Sequence, residues 1–295
     1  MDVRSRIMAS MNKLTSQDRA KIIHLLCEGT SIRAVTRLTG VSKTTVSKLV
    51  VDVGQAAAWY QDRVFQGLTC KRLQIDEIWG FVGAKARNAE PAKKAAGEAG
   101  DAWLWLATDA ETKLVPCWHV GTRDGDAAME FIDDLASRLV NRPQVTTDGH
   151  KAYLYAMDAV FGGEVDYAQL VKLYGPSPEG QRRYSPAECT GIIKTRVSGK
   201  PDMEHVSTSY AERNNLNIRM HSRRMTRLTN AFSKKMENHA HAMALHFLYY
   251  NFVRIHKTLK VTPAMAAGVT DRLWEVGDMI TVLEGWESAE LKFTP

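Results

Sequence analysis

The chain has 295 residues, 44% of them apolar, which is enough for one or two folded domains with a sizeable core. Its four cysteines are widely spaced without a C-x-x-C pair, which argues against a zinc knuckle or disulfide framework and favours the reducing cytoplasm. The most apolar stretch, 240–253, is interrupted by His241, His246 and Asn251, so we expect no membrane span and no secretory signal.

The formal net charge of +6 is unevenly distributed along the chain. Residues 1–71 contain eleven Lys or Arg against five Asp or Glu, and residues 213–260 contain ten basic residues against the single acid Glu237. The basic side chains of the second zone include Arg219, Arg223, Arg224, Arg227, Lys234 and Lys235. Either these zones are solvated helical faces, or they form an electrostatic footprint for nucleic acid.

The N-terminal residues predict three helices separated by glycines. The helices are expected over about 16–28, 31–38 and 42–53, with Thr15, Ser31 and Ser42 as caps. The residues expected to be buried between the second and third helices are Ala34, Val35, Leu38, Val41, Val46, Leu49 and Val50. This spacing is typical of an all-α helix-turn-helix unit.

The outward face of the third helix carries short hydroxyl and ammonium side chains, which suit phosphates and base edges in a DNA major groove. These residues are Lys43, Thr44, Thr45, Ser47 and Lys48. The alternative is a small helical bundle that makes protein contacts. We predict a DNA-binding domain and linker over 1–67.

After the linker, alternating apolar residues predict a mixed α/β domain over 68–258, followed by a tail over 259–295. Strands are expected over 73–82, 103–108, 114–120, 144–147 and 167–173, and helices over 127–140 and 151–160. This order is that of a ribonuclease-H-like fold, here a mixed five-stranded sheet with flanking helices. Residues 83–101, rich in Ala, Lys, Glu and Gly, are interpreted as a mobile insertion, with a phosphate-binding loop as the alternative. The Pro-, Gly- and Ser-rich segment 174–206 allows one more short strand at 191–197, and later helices are expected from 209 past 224 and over 232–255.

Three carboxylates are expected to meet in this fold. Asp76 lies on the first strand, Asp148 at the end of the fourth, and Glu212 near the start of a later helix that packs across the sheet. The first and fourth strands are neighbours in this topology, so the two aspartates should lie side by side. Glu77 is the alternative to Asp76, although strand alternation directs it to the opposite face. Glu204 is the alternative to Glu212.

Three clustered carboxylates repel one another unless a cation neutralises them. Their hard oxygen ligands suit Mg²⁺ or Mn²⁺, and two such ions support in-line displacement at phosphorus. Asn215 and Arg219 share the helical face of Glu212 and can contact the phosphates of the scissile strand. Arg223 and Arg224 follow as further DNA-binding candidates.

Several longer motifs resemble those of the transposases of the insertion-sequence-one family. They are Asp76–Lys85, Thr147–Gly149, Glu212–Arg219 and Phe232–Lys234. The later segments 250–259 and 262–264 resemble the tail of many DDE transposases and integrases. The resemblance implies a magnesium-dependent DDE catalytic domain, with Asp76, Asp148 and Glu212 as metal ligands and Arg219 as their basic partner.

We therefore expect a bacterial, nucleoid-associated transposase that cleaves DNA at insertion-sequence ends and transfers 3′-hydroxyls into target DNA, as a homodimer or larger assembly. Its partners would be double-stranded terminal repeats and target DNA. Unlike many family members, the chain has no cysteine-based zinc finger ahead of the predicted helix-turn-helix, and its 148–212 interval is longer than in compact members. A metal-dependent nuclease and a non-catalytic or domesticated DNA-binding regulator are the alternatives.

Overall fold

The fold is described from a computed structural model that covers residues 14–175, 188–226 and 229–293. Its strands are β1 (Arg72–Val82), β2 (Gly100–Asp109), β3 (Trp118–Gly121), β4 (Gln144–Thr147), β5 (Asp166–Tyr174) and β6 (Cys189–Ser198). Within those residues they form one open, mixed, six-stranded sheet in the order β3-β2-β1-β4-β5-β6. The central strands β1, β4 and β5 are parallel, whereas β2, β3 and β6 run antiparallel to their neighbours. Residues 1–13, residues 176–187 and the predicted basic residue Arg227 lie outside the described residues.

The helices cover both faces of the sheet and one end of it. They are α1 (Ser16–Cys27), α2 (Ile32–Thr39), α3 (Lys43–Val64), α4 (Pro91–Ala95), α5 (Gly125–Ser137), α6 (Ala152–Phe161), α7 (Ser209–His221), α8 (Met236–Leu248), α9 (Pro263–Ala266) and α10 (Val276–Phe293). A π-helical turn, Tyr249–Val253, continues α8. This mixed α/β architecture with flanking helices is compatible with a ribonuclease-H-like fold.

The two faces of β1 pack into different cores. Ile75 belongs to a cluster with side chains of α5 and α6, whereas Ile78 belongs to a second cluster with side chains of α7 and α8. Because side chains alternate along a strand, Asp76 shares the face of Ile78, and Glu77 shares the face of Ile75. The strand therefore directs two neighbouring carboxylates to opposite sides of the sheet.

The prediction of a five-stranded sheet is wrong, because the sheet formed by the described residues has six strands. The possible short strand at 191–197 is a full strand, β6, which pairs antiparallel with β5 along its length. Nearly all of its side chains are exposed or half-buried on both faces, so the sequence has no apolar alternation that would mark the strand clearly. The predicted strand 114–120 is also shorter, because the side chain of Asn251 hydrogen-bonds both backbone groups of Val115 in place of a neighbouring strand.

The three N-terminal helices lie where the sequence predicted them. Thr15, Ser31 and Ser42 each accept a hydrogen bond from the backbone N–H three residues later, and Gly40 adopts the left-handed conformation that ends α2. The predicted end of the third helix near residue 53 is wrong, because α3 continues to Val64 through buried alanines. Leu38, predicted to be buried, is 62% exposed.

Two other helical predictions need correction. The helix over 127–140 is α5, which ends at Ser137, and the side chain of Val140 is 69% exposed. The helix expected from 209 past 224 ends at His221, because Ser222 is extended and a 3-10 turn follows over Arg223–Met225. The helix expected from residue 232 begins later, as α8.

The C-terminal segment is an ordered part of the same core. Helix α10 packs against α1 and α3, and Arg19 forms an ion pair of 3.3 Å with Glu287. One hydrophobic cluster includes buried side chains of the N-terminal helices, the sheet and α10. No helix in the described ranges is both long enough and apolar enough to cross a membrane.

Candidate metal centre

Strand register brings Asp76 and Asp148 together, as predicted. Gln74 on β1 pairs with Thr146 on the parallel strand β4, so two residues further along both strands Asp76 lies beside Asp148. Strand β4 ends at Thr147, whereas β1 continues to Val82. The side of β1 that follows Gln74 is therefore no longer covered by β4.

Glu77 also lies beside Asp76 and Asp148, although strand alternation predicted that it would point to the opposite face of the sheet. Ligand oxygens of Asp76, Glu77 and Asp148 all lie within 4.8 Å of one another. Asp76 and Glu77 do lie on opposite faces of β1, but Asp148 lies beyond the last residue of β4, where the sheet no longer separates the two faces. We call these three residues the acidic cluster.

Negative charge in the acidic cluster is unfavourable, as the pKa values of its carboxyl groups show. Burial raises the pKa of Asp76 to about 6, and the charges of Asp148 and Glu212 add to this effect. Burial and then the charge of Asp148 raise the pKa of Glu77 to about 7. The Oε2 atom of Glu77 is buried and accepts no hydrogen bond from a described residue. Clustered carboxylate oxygens with one unsatisfied buried atom fit a hard divalent cation, so the cluster could hold a metal ion.

Arg123 and His150 complete the surroundings of the acidic cluster, and neither was singled out from the sequence. The Nε atom of Arg123 donates to Glu77 Oε1 at 3.1 Å, and its Nη2 atom lies 3.8 Å from Asp148 Oδ2. The backbone N–H of His150 donates to Asp148 Oδ1 at 2.8 Å, and its imidazole Nε2 lies 3.6 Å from Glu77 Oε1. Burial and the charge of Arg123 lower the pKa of His150, so the guanidinium is the main local counter-charge.

Helix α7 is fixed across the sheet by hydrogen bonds to β1 and β2. The side-chain oxygen of Gln74 accepts from the backbone N–H groups of Tyr210 and Ala211 in the first turn of α7. Further along, Asn214 donates to Thr108 Oγ1 at 2.9 Å, and Asn215 Nδ2 donates to Asp76 Oδ2 at 2.7 Å. The predicted phosphate contact Asn215 therefore binds and orients an acidic-cluster residue.

Arg219 is engaged within the protein. Its guanidinium donates to the backbone oxygens of Trp79 and Met225, each at 3.0 Å. It thereby joins β1 to the segment after α7. A catalytic role for Arg219 stays a prediction.

Glu212 lies on the first turn of α7, as predicted, but its carboxylate is held by a cation from β5. Lys172 Nζ donates to both carboxylate oxygens of Glu212, and Thr208 Oγ1 donates to Oε1 at 2.8 Å. Burial lowers the pKa of Lys172, but the hydrogen bond and charge of Glu212 outweigh it, so the pKa is raised. The role of Glu212 as a metal ligand stays a prediction. The alternative, Glu204, is exposed in a turn ahead of α7.

The predicted DNA-reading residues of α3 are accessible. Lys43, Thr44, Thr45 and Lys48 are exposed, and Ser47 is half-buried. Arg223 is exposed, whereas Arg224 is half-buried and donates to Ser233 Oγ at 3.0 Å.

A scan of the chain against protein-family models and a search of curated proteins gave no match.

Proposed function

We propose that the chain is a DNA transposase with a ribonuclease-H-like catalytic domain, which cleaves DNA at the ends of a mobile element and joins the 3′-hydroxyls to target DNA. The observation that carries this proposal is the position of Asp76, within β1, side by side with Asp148, which directly follows the neighbouring parallel strand β4. The packing of α7, which carries Glu212, against β1 supports it. The motif resemblance points in the same direction.

In this proposal Asp76 and Asp148 hold Mg²⁺ or Mn²⁺, with Glu77 close enough to share an ion and Glu212 as a further ligand. When bound, the metal supplies Lewis-acid activation of the attacking oxygen and stabilises charge at phosphorus. Asn215 orients one oxygen of Asp76, and the backbone N–H of His150 orients one oxygen of Asp148. Arg123 limits the repulsion among the carboxylates before an ion binds.

DNA binding is assigned to the exposed face of α3 and to the basic residues after α7. Two element ends must meet for joining, so the proposed active form is a homodimer or a larger assembly on double-stranded DNA. Attack by water gives a nick, and attack by a DNA 3′-hydroxyl gives a joined product. The same carboxylates serve both reactions.

The test uses the full chain with a labelled duplex that carries the DNA flanking its own coding region, together with target DNA and Mg²⁺ or Mn²⁺. We expect nicked and joined products that disappear when the cation is chelated. In Asp148→Asn the rate should fall by about two to three orders of magnitude, since several kcal/mol of metal-dependent stabilisation are lost. Asp133→Asn is the matched control, because Asp133 is exposed on α5.

The products distinguish the alternatives. Cleavage without joining would favour a metal-dependent nuclease, and DNA binding without either reaction would favour a regulator. Cleavage that survives in Asp148→Asn would contradict the assignment of the acidic cluster.

A further inference from the structure

A second feature of the molecule is a cleft of about 490 Å³ between the N-terminal helices and the segment after α7. Its floor is apolar, with side chains of α1, α3 and α8, namely Leu26, Val50, Ala242 and Leu245. Its basic side chains are Arg33, Lys43, Arg223, Arg224 and Lys234. The cleft has no Asp or Glu among its lining residues in the described part of the chain. We call it the basic cleft.

Five cations in one cleft repel one another unless an anion is present. Arg33 and Lys43 come from the first turns of α2 and α3, where the helix dipoles add positive potential. Arg223 and Arg224 come from the 3-10 turn after α7. None of the five forms a salt bridge with an acid among the described residues. Glu28, near the cleft, is engaged by the hydroxyl of Tyr249 at 2.6 Å.

Arg224 is the least exposed of these five cations, and few contacts offset its positive charge. Its guanidinium has five N–H donors, and the structure gives it a single hydrogen bond, to Ser233 Oγ at 3.0 Å. Burial lowers the pKa of Arg224. The neighbouring His239 is buried and accepts or donates at the same Ser233 hydroxyl, at 2.9 Å, and burial lowers its pKa to about 4. The neutral imidazole adds no second positive charge, and no acid among the residues that line the cleft compensates the half-buried guanidinium, which is costly for a cation partly removed from water.

We propose that the basic cleft binds a backbone phosphate of DNA, with Arg224 as its innermost ligand and Arg33 and Lys43 at its rim. The inference rests on the proposed function and sharpens it, because it assigns the DNA contact of α3 and of the residues after α7 to one backbone phosphate held in this cleft. A planar guanidinium with free donors matches the oxygens of a phosphodiester. The apolar floor suits the sugar beside it. A duplex is too wide to enter a cleft of this size, so it is held by one strand at the cleft mouth.

The experiment measures the affinity of the full chain for a short DNA duplex of arbitrary sequence over a range of salt concentrations, without divalent cation. Arg224→Met should lower the affinity by about tenfold or more and reduce the slope of log K against log salt by about 0.9. Its melting temperature should stay equal or rise, because a half-buried charge without an acidic partner is removed. A purely structural arginine would give the opposite change in melting temperature.

Arg63→Met is the matched control, because it removes the same charge from the last turn of α3, about 30 Å along the helix from Lys43. It should leave the affinity close to that of the unmodified chain. If Arg224→Met fails to fold, Arg33→Met serves instead, since Arg33 is exposed and lines the same cleft. Its loss of affinity should be smaller and in the same direction.

Inorganic phosphate separates DNA from a free anion. At equal ionic strength, phosphate should protect the unmodified chain against heat no more than weakly, whereas duplex DNA protects it strongly. Strong protection by phosphate that disappears in Arg224→Met, with unchanged DNA affinity, would overturn the proposal in favour of a small-anion site. Equal DNA affinity of Arg224→Met and the unmodified chain overturns the assignment of the cleft alone. A chain that binds no DNA at all contradicts the cleft and the proposed function together.

Discussion

The acidic cluster and the basic cleft differ in how their charge is compensated. In the acidic cluster, Arg123 hydrogen-bonds Glu77 and lies near Asp148, so part of the negative charge already has a partner. In the basic cleft, Arg224 has no acidic partner among the described residues, and burial keeps His239 neutral beside it. Like charges brought together repel one another, so each region is expected to gain stability from an ion of the opposite sign. We therefore expect a divalent cation to stabilise the acidic cluster and a DNA phosphate to stabilise the basic cleft.

The largest effect should come from adding a divalent cation. Mn²⁺ or Mg²⁺ at a hundredfold excess over its Kd should stabilise the chain by about 2.7 kcal/mol and raise the melting temperature by about 4 °C. The gain should be lost in Asp76→Asn and kept in Arg224→Met. Calorimetry or thermal unfolding with and without a chelator measures it. A cation effect that persists in Asp76→Asn would remove the acidic cluster as the binding site.

Acid should lower the contribution that His239, beside the basic cleft, makes to the free energy of unfolding. The folded-state pKa of His239 is about 4, below its ordinary value of 6.5, so between these values the unfolded chain binds the proton more readily. The contribution of His239 to stability therefore rises with pH in this window and falls as the pH drops from 6.5 towards 4. We expect a loss of about 2 kcal/mol from His239 between pH 7 and pH 5.

His246 should add to this loss, since burial lowers its pKa to about 3. Urea unfolding at both pH values measures these losses together with an opposite gain from Asp76 and Glu77, whose raised pKa values favour the folded state on acidification. The difference between the unmodified chain and His239→Asn, which keeps a polar atom near Ser233, isolates the contribution of His239. An equal loss on acidification in His239→Asn would show that the effect lies elsewhere in the chain.

The smallest effect should come from the counter-charge of the acidic cluster. Arg123→Met removes the hydrogen bond to Glu77 Oε1, and a loss of about 1 kcal/mol at pH 8 is expected, since the guanidinium is partly exposed. A divalent cation should reverse most of this loss, because it replaces the missing positive charge. Chemical denaturation with and without the cation tests this. No loss of stability without the cation would mean that Arg123 does not compensate the carboxylates.

The sequence was sufficient where local physical rules decide the structure. The caps Thr15, Ser31 and Ser42, the strand 144–147 and the neighbouring position of Asp76 and Asp148 follow from capping, periodicity and element order. These rules concern a few residues each. The features predicted from them agree closely with the structure.

The sequence was insufficient where the answer depends on where another element ends. Glu77 was directed away from Asp76 by alternation, and only the early end of β4 brings both carboxylates to Asp148. The predicted strand at 144–147 already contained that information, because it stops before the position beside Glu77. The contact between Lys172 and Glu212 could not be predicted, since it depends on the register of β5 and on how α7 lies across the sheet.

Beyond the end of β4, strand β1 also connects the two charged regions. Along the open side of β1, Arg219 donates to the backbone of Trp79, and Val82 forms a bridge with Ser233, the residue whose hydroxyl accepts from Arg224. One strand therefore carries the carboxylates at one point and borders the cleft at another. From Asp76 to Val82 it extends about 20 Å, the length of about six base pairs of duplex DNA. Strand β1 thus sets the distance between the two regions. A duplex held at the cleft would reach the carboxylates about six base pairs from its bound phosphate.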